Sequence, residues 1–298
     1  SVDKVCVAGH KGMLGSALVR RLTADGITPW LPMRTDFSII LDAEVAFTGM
    51  DTVFFAAGIG GGIAKNQRIP ADLALQTLRL LTGGMDGARR AGVQRFVWFA
   101  CACVYPRDGG ALWSGPLEPT SQAFAAAQLA GIELTQAMNQ QYGTGYLVLV
   151  CPTCYGPGDD FSDDGHVVAG LIRAFHGAKV SGASMVTLWG TGRAIRQVMY
   201  VDDLARVALA VVHAPPNGCL VNVSVGTSVS VEALALCVKD IVGYQGGLAW
   251  RGTEDGAPRK ELAGGIWPTD LTPLAEGLRR TYEWFLANVA HLPVGRIS

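Results

Sequence analysis

The sequence predicts an α/β fold, a doubly wound parallel sheet joined to a second, smaller α/β part. Three observations predict it. A β-rich apolar run at residues 4–8 (KVCVA) leads directly into a glycine-spaced turn and then an amphipathic helical stretch that continues through Arg21. Apolar runs then alternate with helical ones along the first half of the chain, which is the order that builds a parallel sheet with helical crossovers. Those runs are continuously hydrophobic rather than alternating, as strands covered on both faces must be.

Each element follows from its residues. Strands are expected at 51–57 (DTVFFAA), 95–100 (RFVWFA) and 146–150 (YLVLV), separated by helices around 70–82 and 122–141. Beyond Pro152 the rhythm loosens, and Gly and Asp crowd residues 156–165. Shorter strands at 186–189 and 220–225 and helices at 231–242 and 274–289 complete the smaller part.

Composition narrows the class. Of 298 residues 49% are hydrophobic and 16% charged, which excludes a disordered chain. Lys plus Arg number 24 against 25 Asp plus Glu, so a net charge of −1 leaves no field to gather nucleic acid or an anionic membrane, and an anionic ligand must be met locally. The longest apolar stretches, such as 205–212, fall far short of the roughly 20 residues of a membrane helix, and no signal peptide is read at the start. Seven cysteines, an odd number, favour neither a disulfide framework nor a zinc site, so the expectation is a cytoplasmic protein with reduced thiols and no metal.

The spacing Gly9-x-x-Gly12-x-x-Gly15 has a physical reading between a strand and a helix. The first glycine allows a tight turn, the second lets backbone approach a pyrophosphate, and the third lets helix pack on strand. Gly9, Lys11, Gly12, Met13, Leu14 and Gly15 are therefore the expected dinucleotide loop of a Rossmann domain. At the end of the second strand Arg34 stands where an acidic residue would meet a ribose 2′-hydroxyl, and with Lys11 it favours NADP(H) over NAD. Residues 1–152 are assigned to this domain, with segments around 190–225 returning to it, and residues 153–298 to a smaller substrate-binding domain.

Further stretches carry a family resemblance along nearly the whole chain. In order these are VCVAGHKGMLGSAL, FFAAGIGGGIAKN, CVYP from Cys103, LEPT from Leu117, AGIEL from Ala130, QQYGTGY, YGPGDDF, LWGTG, VDDLA and DGAPRK. They resemble the extended short-chain dehydrogenase/reductases, among them the epimerase/reductases of GDP-4-keto sugars, and the resemblance implies a nucleotide-diphosphate sugar as substrate and a homodimer. In that family a Ser, a Tyr and a Lys serve hydride transfer, while a Cys and a His move protons beside the ketone. Here the serine position falls on Cys101, the tyrosine on Phe124 and the lysine on Gln128, whereas Cys103 and His166 retain the proton-transfer pair. By the same resemblance Arg173, Trp189, Arg196, Arg259 and Lys260 meet the sugar and diphosphate, while Cys154, Ala174 and Ala263 depart from the family's Asn, Arg and Asp.

The expected function is an NDP-sugar epimerase, a GDP-sugar foremost, acting through Cys103 and His166. Bound NADP(H) is then structural, and hydride transfer is lost with the Phe124 hydroxyl and the Gln128 charge. Two other readings stay open: an epimerase/reductase whose acid comes from elsewhere, with Tyr105 and Tyr155 in nearby loops, and a catalytically silent nucleotide-binding relative.

Overall fold

The structure, a computed structural model, describes residues 4–291 apart from 216, 226–227, 254, 263 and 266–267, and of Arg259 only the backbone. Strand β1 (Val5–Ala8) is followed by helices α1 (Met13–Ala24) and α2 (Ile40–Phe47), then β2 (Thr52–Phe55), α3 (Ile63–Arg68), α4 (Pro70–Arg90), β3 (Arg95–Cys101), α5 (Gln122–Tyr142) and β4 (Leu147–Cys151). The second half runs β5 (Thr153–Tyr155), α6 (Val167–Ser181), β6 (Met185–Trp189), β7 (Ile195–Arg196), β8 (Val198–Tyr200), α7 (Val201–His213) and β9 (Leu220–Asn222). It closes with β10 (Val229–Ser230), α8 (Val231–Val242), β11 (Gly247–Arg251), β12 (Arg259–Lys260) and α9 (Leu274–Asn288).

The central sheet has the order β1-β2-β3-β4-β9, all parallel, so its catalytically useful edge is the one where the strands end. Alternate residues of each strand feed two cores. Cys6, Ala8, Val53, Phe55, Phe96, Trp98, Val148 and Val150 pack on the α4/α5 side, while Val5, Val7, Phe54, Val97, Leu147 and Leu149 pack with Leu18 and Leu22 of α1 and Leu204 and Ala208 of α7. Burial on both faces is why these strands read as unbroken apolar runs. A third core, built on Val168, Ile172, Phe175, Leu234, Val238, Leu278 and Phe285, joins α6, α8 and α9 into the smaller part. Among the described residues no helix is long and apolar enough to cross a membrane.

Two expectations are corrected. The second strand, expected to end near Arg34, contracts to a single bridge in which Trp30 exchanges hydrogen bonds with β1, its N–H donating to Val5 O (2.8 Å) and its carbonyl accepting from Val7 N–H (3.0 Å). Pro32 then has no N–H to carry the ladder on, and Arg34 leaves extended geometry at φ 55°. The thiols are not all reduced: Cys101 and Cys103 form a disulfide, because the chain leaves β3 for a 3₁₀ turn and brings their Cα atoms to 5.3 Å. Cys6, Cys151, Cys154, Cys219 and Cys237 are free, although Cys151 and Cys154 carry the CxxC spacing.

Candidate active site

The glycine loop sits where β1 ends. Gly9 adopts φ +80°, and a Cβ there would lie 2.5 Å from Ala57 N; a Cβ on Gly15 would lie 2.1 Å from Gly9 O, so α1 crosses its strand at backbone contact. Gly12 differs, since its added Cβ would meet nothing nearer than Gly9 O at 3.5 Å. It caps α1 with no side-chain acceptor, leaving the first-turn N–H groups of Met13 and Leu14 pointing out of a positive helix end. His10 Nδ1 is buried with no hydrogen-bond partner, and the exposed Lys11 and Arg34 form no ion pair among the described residues. An open glycine, an orphaned polar nitrogen and two uncommitted cations fit a dinucleotide pyrophosphate and its ribose phosphate.

At the end of β3 lies a cluster the family's hydride chemistry would not build. Cys103, Phe124, Leu73 and Ala125 are buried together, with Ile59, Ile69, Cys101 and Leu117 against them. Gln128 is buried too and uses Oε1 to accept the Cys101 N–H at 3.0 Å; the same oxygen stands 3.9 Å from Cys103 Sγ. Positions 124 and 128 thus wall and cap the strand end. Neither expected substitute reaches across: the Tyr105 hydroxyl donates to Asn222 Oδ1 at 2.8 Å, and Tyr155 lies in the third core, where burial raises its phenol well above the usual range.

His166 precedes α6 as its N-cap residue without capping it, leaving the ring free to face the cleft. An added Cβ on Gly60 would stand 3.9 Å from His166 Nε2, and the neighbouring Ile59 belongs to the Cys103 cluster. One loop, anchored by the Gly62 N–H to Asp164 O (2.8 Å), therefore runs from the Cys103 cluster to the side of the His166 ring. The ring is open to solvent yet deep between protein walls; desolvation, with Lys260 and Lys65, holds its pKa below the ordinary imidazole value against the pull of Asp160. Neutral imidazole at pH 7 is a base.

The cations divide into committed and available groups. Arg173, expected on the diphosphate, is already paired with Asp163. Arg196 is buried and donates to Ile195 O (2.8 Å) and Ala257 O (2.9 Å), and Lys260 lies beside it in strand register. The Lys260 ammonium makes no hydrogen bond among the described residues, although its carbonyl accepts the Gln197 N–H at 3.3 Å. Burial and the Arg196 charge lower it to about 8, with Glu118 opposing. Glu118 is itself held by Thr120 and by Arg107, 3.4 Å from its Oε2. Trp189 ends β6 exposed, while the Arg259 side chain and Ala263 lie outside the described residues. Sequence reasoning did not single out Gln128 as a backbone cap, or Asp159, a buried carboxyl in the segment over the glycine loop; YGPGDDF was the only signal for the latter.

A groove of about 670 Å³ lies between Arg95, Asn139, Leu147 and Leu220, at the opposite edge of the sheet where its strands begin, away from these groups.

The chain is similar to known proteins along most of its length. The family model described as NAD dependent epimerase/dehydratase matches residues 5–224. The probable GDP-L-fucose synthase 1 of Oryza sativa subsp. japonica is 37% identical over 306 residues, covering 96% of this chain and 93% of that protein. The GDP-L-fucose synthase of Escherichia coli (strain K12) is 32% identical over 315 residues, covering 97% and 98%. Among solved structures, the GDP-mannoheptose C4 reductase MlghC of Campylobacter jejuni, with NADP bound, superposes with a TM-score of 0.83 at 28% identity, covering 95% of this chain and 98% of that one.

Proposed function

Because the chain belongs to the NAD dependent epimerase/dehydratase family, we propose that it is a GDP-sugar epimerase/reductase that binds NADP(H) along Gly9–Gly15 and acts on a 4-keto sugar. The observation that carries this reading is the Ile59–Gly60 step, which links the Cys103 cluster to the His166 ring at the strand-end edge that also holds the glycine loop. The relatives named as GDP-L-fucose synthases support the guanine nucleotide, and MlghC, a reductase with NADP, supports the cofactor. These likenesses favour the epimerase/reductase reading over an epimerase without hydride transfer.

A proton on carbon beside a ketone is acidic enough for a thiolate or imidazole to remove it. Cys103, once its sulfur is a thiol, and His166 serve the two faces of the sugar, because a single group that removes and returns a proton regenerates the starting configuration. NADPH, held by the glycine loop, would supply a hydride to the ketone. The ketone oxygen would need a proton, for which Phe124 offers no hydroxyl. Lys260, an ammonium lowered to about 8 in strand register with the buried Arg196, is the cation best able to give that proton near neutrality.

Incubation of reduced protein with a GDP-4-keto-6-deoxy sugar in D₂O tests the reading: deuterium should enter a carbon next to the ketone, and Cys103→Ser and His166→Asn should each stop inversion. Absence of exchange with the reduced wild-type protein would refute it.

A further inference from the structure

We propose that Cys101 and Cys103 form a thiol–disulfide exchange site, open to low-molecular-weight thiols and disulfides, that switches the cleft between a proton-transferring dithiol and an inert disulfide. The inference rests on the reading of Cys103 as a proton-transfer group. It begins from selectivity: among the described cysteines this pair alone is bonded, while the buried Cys151 and the half-buried Cys154, only three residues apart, stay free, with desolvation pushing Cys154 up to about 12. A buried thiol so far from its thiolate is inert.

The Cys101–Cys103 pair is placed to react. Cys101 ends β3 half-buried, whereas Cys103 is 5% exposed with Leu73, Phe124 and Ala125 packed around it, so a reagent entering the cleft meets the Cys101 sulfur first. The Cys103 N–H donates to Cys101 Sγ at 3.3 Å, which favours negative charge on that sulfur and so prepares a reduced Cys101 to attack an external disulfide on reoxidation. Gln128 Oε1, 3.9 Å from Cys103 Sγ, is ready to accept a thiol hydrogen there on reduction. A ring closed across two residues constrains little of the unfolded chain, so opening it costs the fold little.

The exchange balances. A thiolate attacks Cys101 Sγ, the S–S bond breaks, and Cys103 leaves as a thiolate that takes a proton. A second thiol attacks the mixed disulfide and releases Cys101 as a thiol, so the protein gains two electrons and two protons while two external thiols become one disulfide. Oxidation by glutathione disulfide reverses both steps. In the bonded state Cys103 has neither proton to give nor lone thiolate to accept one.

The test uses the full chain equilibrated with reduced or oxidised glutathione, then denatured, alkylated and weighed, with deuterium exchange into the GDP-4-keto sugar measured on the same samples. Oxidised protein should carry two fewer alkyl groups than reduced protein, mapped to the peptide holding Cys101 and Cys103. Its exchange with inversion should be lower by about tenfold or more, because His166 alone serves only one face of the sugar, and dithiothreitol should restore it. In Cys101→Ser, or in Cys101→Ala should the first variant fold poorly, the ratio between the two conditions should fall to unity. Full alkylation after glutathione disulfide, or a formed bond with unchanged exchange, would overturn the proposal. A reduced protein that bonds reversibly yet never exchanges deuterium would instead overturn the functional reading, and control of the cleft with it.

Discussion

Replacing Asp159 with Asn should abolish a pH-dependent loss of stability that the wild-type chain carries. Asp159 is 6% exposed; its Oδ1 accepts the Asp160 N–H at 2.8 Å, and its Oδ2 is buried with no partner. Burial raises its pKa from 3.8 to about 7, with the Asp160 N–H pulling the other way. The folded state therefore keeps a proton that the unfolded chain releases, and the associated stability is full below about 3.8, fades between the two values and is gone above about 7. At about 1.4 kcal/mol per unit, the penalty is roughly 1.5 kcal/mol at pH 5 and about 4 kcal/mol at pH 8. Asparagine mimics the protonated form, so its advantage over wild type should grow by about 3 kcal/mol between those pH values, or roughly 5–8 °C in Tm for a chain of this size. Urea and thermal denaturation of both proteins at pH 5 and pH 8 measure it, and titrations common to both cancel. An equal effect at the two pH values would refute the reasoning. The neutral carboxyl also has a use: a Cβ on Gly158 would stand 3.5 Å from Met13 Cα, so this segment leans over the glycine loop, where a carboxylate would repel pyrophosphate.

Arg34→Ala should weaken NADPH binding by about tenfold while leaving NADH unchanged, since one guanidinium–phosphate contact is worth roughly 1.5–3 kcal/mol before solvent screening; fluorescence titration with both nucleotides checks it. Deuterium exchange by reduced protein should hold as pH falls through the ordinary imidazole value of about 6.5 and decline only below it, because His166 remains a neutral base there; a pH–rate profile bending at or above that value would contradict its desolvated position.

The sheet was legible because β1, β2, β3 and β4 are covered on both faces and their residues are apolar without alternation. The glycine loop was legible because backbone contact at Gly9 and Gly15 leaves only one residue type for each position. What escaped depends on contacts between distant segments. The helix α7 hid in a short apolar run at 205–212 whose partner, α1, is far away in sequence. That Arg173 is consumed by Asp163 follows from how the loop before α6 folds back. The Cys101–Cys103 bond could not be read from a cysteine count, because it depends on the 3₁₀ turn after β3.

The three departures at the hydride site form one physical unit, and this sets how their reversal must behave. Phe124 lies in an apolar cluster with Cys103, Leu73 and Ala125, and Gln128 spends its carbonyl on the Cys101 N–H. Phe124→Tyr alone places a hydroxyl where the present neighbours are apolar, at a cost of about 1–3 kcal/mol if it finds no partner. Gln128→Lys alone removes the acceptor of the Cys101 N–H and buries an ammonium with no anion to pair it. Together the two changes answer each other, the ammonium lowering the phenol's pKa and the hydroxyl giving the ammonium a partner. Because Lys260 already supplies a proton, the double variant should oxidise NADPH with a GDP-4-keto sugar at about the wild-type rate, should gain about 10²–10⁴ when built into a Lys260→Ala background, the range of a positioned general acid, and should melt later than either single variant. Stopped absorbance at the nicotinamide band and melting curves of all four proteins form a double-mutant cycle. Additive melting shifts from the single changes would show that positions 124 and 128 do not act as a pair, and a gain of about 10²–10⁴ by the double variant over wild type would show that Lys260 does not supply the proton.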